Sequence, residues 1–578
     1  MLLRSFFDAK LAQNSYLVAC QATGEAIVID PIRNVEIYLR AAAAEGIRIV
    51  AVTETHIHAD FVSGCRELAA RTGAMLYLSA EGGAAWQYGY VNDYPHRLLR
   101  DGDCWQLGNL RWQALHTPGH TPEHMSYLLT DGAATDLPMG IFSGDFVFVG
   151  DVGRPDLLET AVGVKGSKEG AARTLFQALQ RFQQLPDYVQ IWPAHGAGSA
   201  CGKALGAVPS STVGYERRVN WAFQVNKEAD FIETILDGQP TPPRYFSVMK
   251  RVNRDGPSLL AELPKPPCLC TDSLVALQRT GVTVVDTRAP TKFAAGHVPG
   301  SINVPFCERS FITNAGSFLD EETPYYLIID SADVMTAVSD LVRIGLDQIA
   351  GYFLPWVVDE WARQSGLPLG VIKQVTVDEV TTQIQEGNLL VIDVRNGGEF
   401  KSGHLPQARH IALSQLADYI HEIPRDHPVV VQCKSGFRSS LAAALLCSQG
   451  YTNVANLSGG YQAWCAAGLP TVDEKCSKEV RQRAPRGKRP ASSKMVEMES
   501  DLHNTDLPYW MEMSHTPAPN GACCSTPTHT KEENHVGDHK VELLSPDNVR
   551  TIRRFADRNR RHRLPARQWK PSVALVSL

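Results

Sequence analysis

The sequence predicts an α/β protein of several domains, and three observations carry that reading. Through the first 200 residues, short β-branched runs such as AIVID, IRIVAVTETH and YVQIWPAH alternate with amphipathic stretches such as VEIYLRAAAAEG and CRELAARTG. Farther on, VTVVDTRAPTKFAAGHVPGSINVP (282–305) and LLVIDVRNGGEFKSGHLPQARHIA (389–412) repeat one pattern. In each copy an apolar strand ends in Asp-x-Arg, and an aromatic residue and Gly-His-x-Pro follow. After about residue 472 the periodicity stops.

These observations divide the 578 residues in order. Residues 1–262 form a first α/β domain whose last part, ERRVNWAFQVNKEADFIETILDG, reads as helical before the Pro-rich PTPPRYF. LPKPPC (263–268) is a linker signal. The two repeats then occupy 263–370 and 371–470 as βα domains. Residues 471–578, with RQRAPRGKRPASSK, the adjacent Cys523 and Cys524, and seven arginines between Arg553 and Arg567, read as a low-complexity, disordered, solvated basic tail.

Bulk composition narrows the partners. A net charge of −6, from 56 basic and 62 acidic residues, argues against a nucleic acid partner. No apolar run approaches the ~20 residues of a membrane span. MLLRSFFDAKLAQNSYLV is too short and too interrupted by charge for a secretory signal. Thirteen cysteines without a framework of spacings read as reduced thiols, and the expected location is the cytoplasm.

Chemistry gathers at strand ends in the first domain. THIHADF (55–61) puts His56, His58 and Asp60 just past a strand; Gly119 precedes His120 in a tight turn; Asp145 and His195 each follow an apolar strand. One such histidine is ordinarily a satisfied polar residue, but four stretches in order are not coincidence. The set THxHxD, PGHT, SGD and PAHG resembles the metallo-β-lactamase superfamily, in its glyoxalase-II-like and persulfide dioxygenase branch, over about 1–262. That resemblance implies an αββα sandwich. In the superfamily's dinuclear zinc site the Asp-His end of the motif serves a second metal, and Phe61 stands where that histidine belongs. The resemblance therefore implies a mononuclear non-heme Fe(II) site on His56, His120 and Asp145, a facial triad with open positions. His58, Asp60 and His195 then orient ligands or bound water, and His58 as a fourth ligand is the alternative. His124 reads as structural. Arg154 either holds an anionic thiol carrier or pairs with Asp156. Cys201 is either a small residue in a tight loop or a thiol that receives sulfur at the metal's mouth.

In the second repeat, HPVVVQCKSGFRSSLAAALLCSQG reads as strand, loop and helix. Cys433 ends the strand, and the backbone of Lys434, Ser435, Gly436 and Phe437 can curl so that N–H groups point at the sulfur with a helix N-terminus behind them. That arrangement stabilises a thiolate or a bound persulfide. Lys434 and Arg438 supply positive charge for an anionic sulfur acceptor. CKSGFRSS and NLSGGYQAWCAAGLP resemble the rhodanese sulfurtransferases, whose Asp393–Arg395 motif is scaffold. The first repeat lacks the cysteine: by strand register Asp330 takes its place, with Asp333 and Met335 at the places of Gly436 and Arg438. It reads as a catalytically inactive rhodanese-like domain.

The domain order resembles the bacterial persulfide dioxygenase–rhodanese fusions of sulfide detoxification. The resemblance implies that a low-molecular-weight thiol persulfide and O2 give sulfite, that Cys433 passes sulfane sulfur to sulfite as thiosulfate, and that the chain forms a homo-oligomer. Two alternatives use the same residues: the reverse coupling, in which Cys433 takes sulfur from thiosulfate, and a glyoxalase-II-like zinc thioesterase tethered to a sulfur-carrying rhodanese.

Overall fold

The structure, a computed structural model, describes residues 1–472 apart from 161, 162, 164, 204 and 307–309. The expected basic tail lies outside the described residues from 473 onward.

Two six-stranded sheets build the N-terminal part. The first runs β1 (Leu2–Asp8), β2 (Gln13–Cys20), β3 (Glu25–Ile29), β4 (Arg48–Thr53), β5 (Met75–Ser79) and β6 (His96–Leu99) in spatial order. Its first three strands are antiparallel, and β3 to β6 are parallel. The second comprises β7 (Cys104–Leu107), β8 (Leu110–His116), β9 (Met125–Asp131), β10 (Gly140–Gly144), β11 (Gln190–Pro193) and β12 (Ser211–Thr212). Residues alternating along the strands meet between the sheets: Tyr16, Val18, Ile27 and Ile29 from one face, Trp112, Tyr127 and Phe142 from the other. Tyr16 and Phe142 touch edge to face at 5.0 Å, and Trp112 stacks on Phe142 at 5.8 Å. Each buried aromatic of this kind contributes on the order of 1.5–3 kcal/mol. Helices Glu36–Ala44 and Cys65–Thr72 cover the first sheet, and Ser167–Phe182 covers the second through Leu175, Ala178, Leu179 and Phe182. This is the expected αββα sandwich.

The two repeats give two parallel sheets. One has the order β14-β13-β15-β16, from β13 (Thr283–Asp286), β14 (Ile302–Asn303), β15 (Tyr325–Ile328) and β16 (Ile349–Phe353). The other is ordered β17-β21-β20-β18-β19, from β17 (Lys373–Val375), β18 (Leu390–Asp393), β19 (Arg409–His410), β20 (Val429–Gln432) and β21 (Val454–Leu457). The repeated motif makes the same clasp twice. Arg288 forks onto Asp286 and donates to the Gly296 carbonyl at 2.8 Å; Arg395 does so with Asp393 and Gly403 at 2.7 Å. The aromatic stacks on the motif histidine in both, Phe293 on His297 at 4.0 Å and Phe400 on His404 at 3.8 Å.

Ladder register corrects one expectation. Asp393 pairs with Gln432 and Asp286 with Ile328, so Ile329, not Asp330, stands at the strand position of Cys433. The helix starts still agree, with Asp333 and Gly436 as the N-caps. The first repeat's loop is one residue longer, and a buried isoleucine replaces the sulfur.

The first repeat packs on the sandwich through apolar side chains, Tyr245 and Met249 against Gly316 and Gly345, and through polar contacts. Arg33 forks onto Asp347 at 2.6 and 2.7 Å and donates to the Val342 carbonyl at 3.1 Å. Arg343 meets Asp8 at 2.7 Å, and its carbonyl accepts the Val62 N–H at 2.6 Å.

Candidate metal centre and cysteine loop

His56 follows β4, His120 lies between β8 and β9, and Asp145 and His195 follow β10 and β11, so four strand ends converge. Each imidazole is oriented by its far nitrogen. Thr55 Oγ1 donates to Asp30, so at 3.0 Å from His56 Nδ1 it acts as acceptor. His120 Nδ1 donates to the Arg154 carbonyl at 3.0 Å, and His195 Nδ1 to the Ala12 carbonyl at 3.1 Å. Ala12 holds a left-handed φ of 50° to present that carbonyl, a strained conformation for alanine. The Nε2 atoms of His56 and His120 therefore carry lone pairs and face Asp145 at 4.0 and 3.5 Å. His195 Nε2 instead lies 3.4 Å from Asp145 and 3.2 Å from Asp60, and against its burial these acidic neighbours raise its pKa well above the usual histidine range.

Among the described residues, neither oxygen of the fully buried Asp145 has a hydrogen-bond partner. Lone pairs and a bare carboxylate converging in a dry site repel one another unless a cation lies among them. Burial and the neighbouring imidazoles push the pKa of His56 well below the usual histidine range. Burial also lowers that of His120 against the pull of Asp145. Both are neutral, as ligands must be. His56, His120 and Asp145 offer donor atoms within 4.8 Å of one another, and this set fits a metal ion.

The remaining residues fall around that set. His58 is turned aside, with Nε2 3.2 Å from Asp30 Oδ1; Asp30 and other carboxylates outweigh its burial and hold its pKa at about 9. His124 accepts the Asp145 N–H at 3.1 Å and bonds Thr117 at 2.8 Å, a structural role. Arg154 is buried and forked onto Asp156 at 2.8 and 2.7 Å, with its third nitrogen on the Ala200 carbonyl. Asp60 lies 3.2 Å from His195, and with Cys201 these two form a second donor group. Burial pushes the Cys201 thiol up to about 12.

Two residues that position the loop carried no motif. Asp30, just after β3, accepts from the Thr55 N–H at 2.7 Å as well as from its hydroxyl. Asn253, from helix Phe246–Asp255, donates to the carbonyls of His58 (2.8 Å) and Phe61 (2.7 Å) and accepts the Ser63 N–H (2.9 Å). Nothing in a distant helical segment signals such a clamp.

Cys433 is buried at the end of β20. The Gly436 N–H points at its sulfur from 3.2 Å and the Ser439 hydroxyl from 3.4 Å. Gly436, at φ 97°, caps helix Phe437–Ser448. The loop is held from below: Tyr461 N–H donates to the Cys433 carbonyl and Gln462 N–H to that of Lys434. Lys434, Ser435 and Phe437 are exposed around the rim. Of the two cations expected to supply positive charge, Lys434 is exposed and Arg438 is forked onto Glu399 at 2.7 and 2.8 Å.

Comparison with known proteins matches the domains in which these two centres lie. Residues 9–195 match the metallo-beta-lactamase superfamily, and 271–358 and 376–467 each match the rhodanese-like domain. A crystal structure of a metallo-beta-lactamase from Staphylococcus aureus is 43% identical, spans 61% of this chain and 99% of its own, and superposes with a TM-score of 0.55. The mitochondrial persulfide dioxygenase of Bos taurus is 27% identical over 34% of this chain and 68% of its own length. A thiosulfate sulfurtransferase of Shewanella oneidensis is 34% identical over 16% of this chain and 91% of its own.

Proposed function

For a chain that belongs to the metallo-β-lactamase superfamily and carries two rhodanese-like domains, we propose a persulfide dioxygenase coupled to a sulfurtransferase. The observation that carries the reading is a two-imidazole, one-carboxylate donor set in the same chain as a cysteine cradled by N–H and O–H donors.

His56, His120 and Asp145 would hold a single iron, which would supply the redox chemistry for joining O2 to sulfur. The balanced reaction takes R–S–SH, O2 and H2O to R–SH and sulfurous acid. Arg154 and Ala12 orient the His120 and His195 imidazoles through their carbonyls, and the Phe61 ring packs on His58, where it offers no ligand atom. Cys433 takes sulfane sulfur from a persulfide donor, and sulfite then attacks the outer sulfur of the Cys433 persulfide. The S–S bond breaks, thiosulfate leaves and the thiol is restored. Gly436 N–H and the Ser439 hydroxyl stabilise the sulfur anion at each stage. The first repeat, without a nucleophile, braces the sandwich.

Oxygen uptake by Fe(II)-loaded protein given glutathione persulfide tests this reading, beside His120→Ala and Cys433→Ser. Uptake abolished by the first variant and retained by the second, with the product changing from thiosulfate to sulfite, is the expected outcome. No uptake by iron-loaded protein sinks it. Sulfite production from thiosulfate and glutathione that Cys433→Ser abolishes would reverse the order of the two steps. The zinc thioesterase has one observation in its favour, the second donor group of Asp60, His195 and Cys201. It requires two metal ions per chain where the dioxygenase requires one, so metal content separates them.

A further inference from the structure

The Cys433 loop has two unlike flanks. On one, Arg438 and Glu399 neutralise each other. On the other, a cleft of about 580 Å³ lies between the loop, the segment 371–374 and helix Pro290–Ala295 of the first repeat. Ladder order explains the sides: Glu399 follows β18, whereas β21 and β17 lie across β20 from it.

Three features describe what this cleft can hold. Its size lies within the range of ~300–1,000 Å³ of small-molecule sites, far more than an inorganic sulfur oxyanion fills. None of the described residues that line it is charged, so no side-chain charge fixes such an anion there. Its surface is instead apolar at Ala295, Val371 and Phe437 and polar through uncharged groups at Gln374, Ser435 and Ser440. Val371 and Phe437, both in its lining, are large apolar side chains 66% and 40% exposed.

The cleft is also continuous with the sulfur's own cradle. Gly436, whose N–H is 3.2 Å from Sγ, is part of its wall, and Ser440 adjoins Ser439, which donates to the same sulfur. Asn456 stiffens the junction, its amide donating to Gln374 Oε1 at 2.8 Å and to the Gly436 carbonyl at 3.2 Å. The opposite wall is fixed by the Ile372 N–H donating to the Ala294 carbonyl at 3.0 Å.

We propose that this cleft binds the carbon body of an organic persulfide, R–S–SH, of apolar and amide character, so that the repeat without a cysteine supplies half of the donor site of Cys433. The inference rests on the sulfur-transfer role proposed for Cys433. In the step it serves, the Cys433 thiolate attacks the terminal sulfur of the donor and the donor's S–S bond breaks. The carrier departs as R–S⁻ and takes a proton from water, leaving Cys433–S–SH. Thiosulfate, with no carbon body, reaches the same sulfur without using the cleft.

The test compares two donors on the full-length protein. Transfer from glutathione persulfide to sulfite is measured beside transfer from thiosulfate to cyanide, in the wild type, Ala295→Trp and Val371→Glu. Both positions are exposed, and an intact thiosulfate reaction reports a folded loop. The expected result is a KM for glutathione persulfide raised about tenfold or more, with the KM for thiosulfate moved less than about twofold. Equal effects on the two donors, no effect on either, or a wild type that uses thiosulfate but not glutathione persulfide would each overturn the cleft. A wild type that uses neither donor overturns the role of Cys433 itself.

Discussion

Phe61 is fully buried, with its ring 4.3 Å from that of His58. An apolar ring there cannot ligate, and by packing on His58 it helps keep that imidazole on Asp30 and off the metal set. The string THIHADF made the missing nitrogen legible; which way His58 turns was not, because Asp30 comes from a different strand. Asn253 was equally hidden, and its loss leaves two carbonyls and one N–H of the metal loop without partners. Asn253→Ala is expected to lower stability by about 2–4 kcal/mol and to weaken metal retention, measured by urea unfolding and by metal content after dialysis. Glu123 gives a pH signature. Burial raises its carboxyl from 4.5 to about 7, while one oxygen accepts the Ile57 N–H at 2.8 Å. The native state then binds more protons than the unfolded chain between these values, so stability falls as pH rises through that window. Glu123→Gln keeps the acceptor and removes the titration. Relative to wild type, the variant is expected to gain stability between pH 5 and pH 8 in urea titrations, and a constant difference would refute the assignment.

At the level of elements, the repeat motif was readable because its parts act locally. Arg395 returns to Asp393 two residues away, and Phe400 stacks on His404 one helical turn on. Strand ends were less readable. YYLIID continues apolar past the ladder, and only the Thr287 N–H on the Ile328 carbonyl shows where pairing stops, which moved the cysteine's counterpart from Asp330 to Ile329. The loop of Cys433 depends on a third element, the start of helix Gly460–Ala466. Gly460 has φ 53°, and a Cβ there would stand 2.2 Å from the Cys433 carbonyl oxygen. Gly460→Ala is expected to displace the cysteine loop and cut sulfur transfer by about a hundredfold while leaving oxygen uptake unchanged. Measuring both activities on one preparation checks this, and a parallel loss of both would point to general unfolding instead.

Across the whole molecule, alternating periodicity revealed the sandwich and internal repetition revealed the two parallel sheets, because each builds its own core. The joint between sandwich and first repeat left no such trace, since its residues, apolar ones such as Val62, Tyr245 and Met249 and polar ones such as Arg33, lie far apart in sequence. Arg33 is the central one, buried and donating to Asp347, Val342 and Ser258. Arg33→Ala is expected to cost about 3 kcal/mol and to split one unfolding transition into two, seen by calorimetry. The contact from Val62 to Arg343, together with the Asn253 clamp, has a consequence for biosynthesis. Residues 56–63 leave the ribosome about 280 residues before Arg343, an interval on the order of tens of seconds at ~5–20 residues per second. Throughout that interval the nascent ligand loop lacks its final brace. A cell that makes this chain does best to insert the metal after translation has passed the first repeat, and a protease acting earlier would meet an N-terminal segment still missing its last restraint.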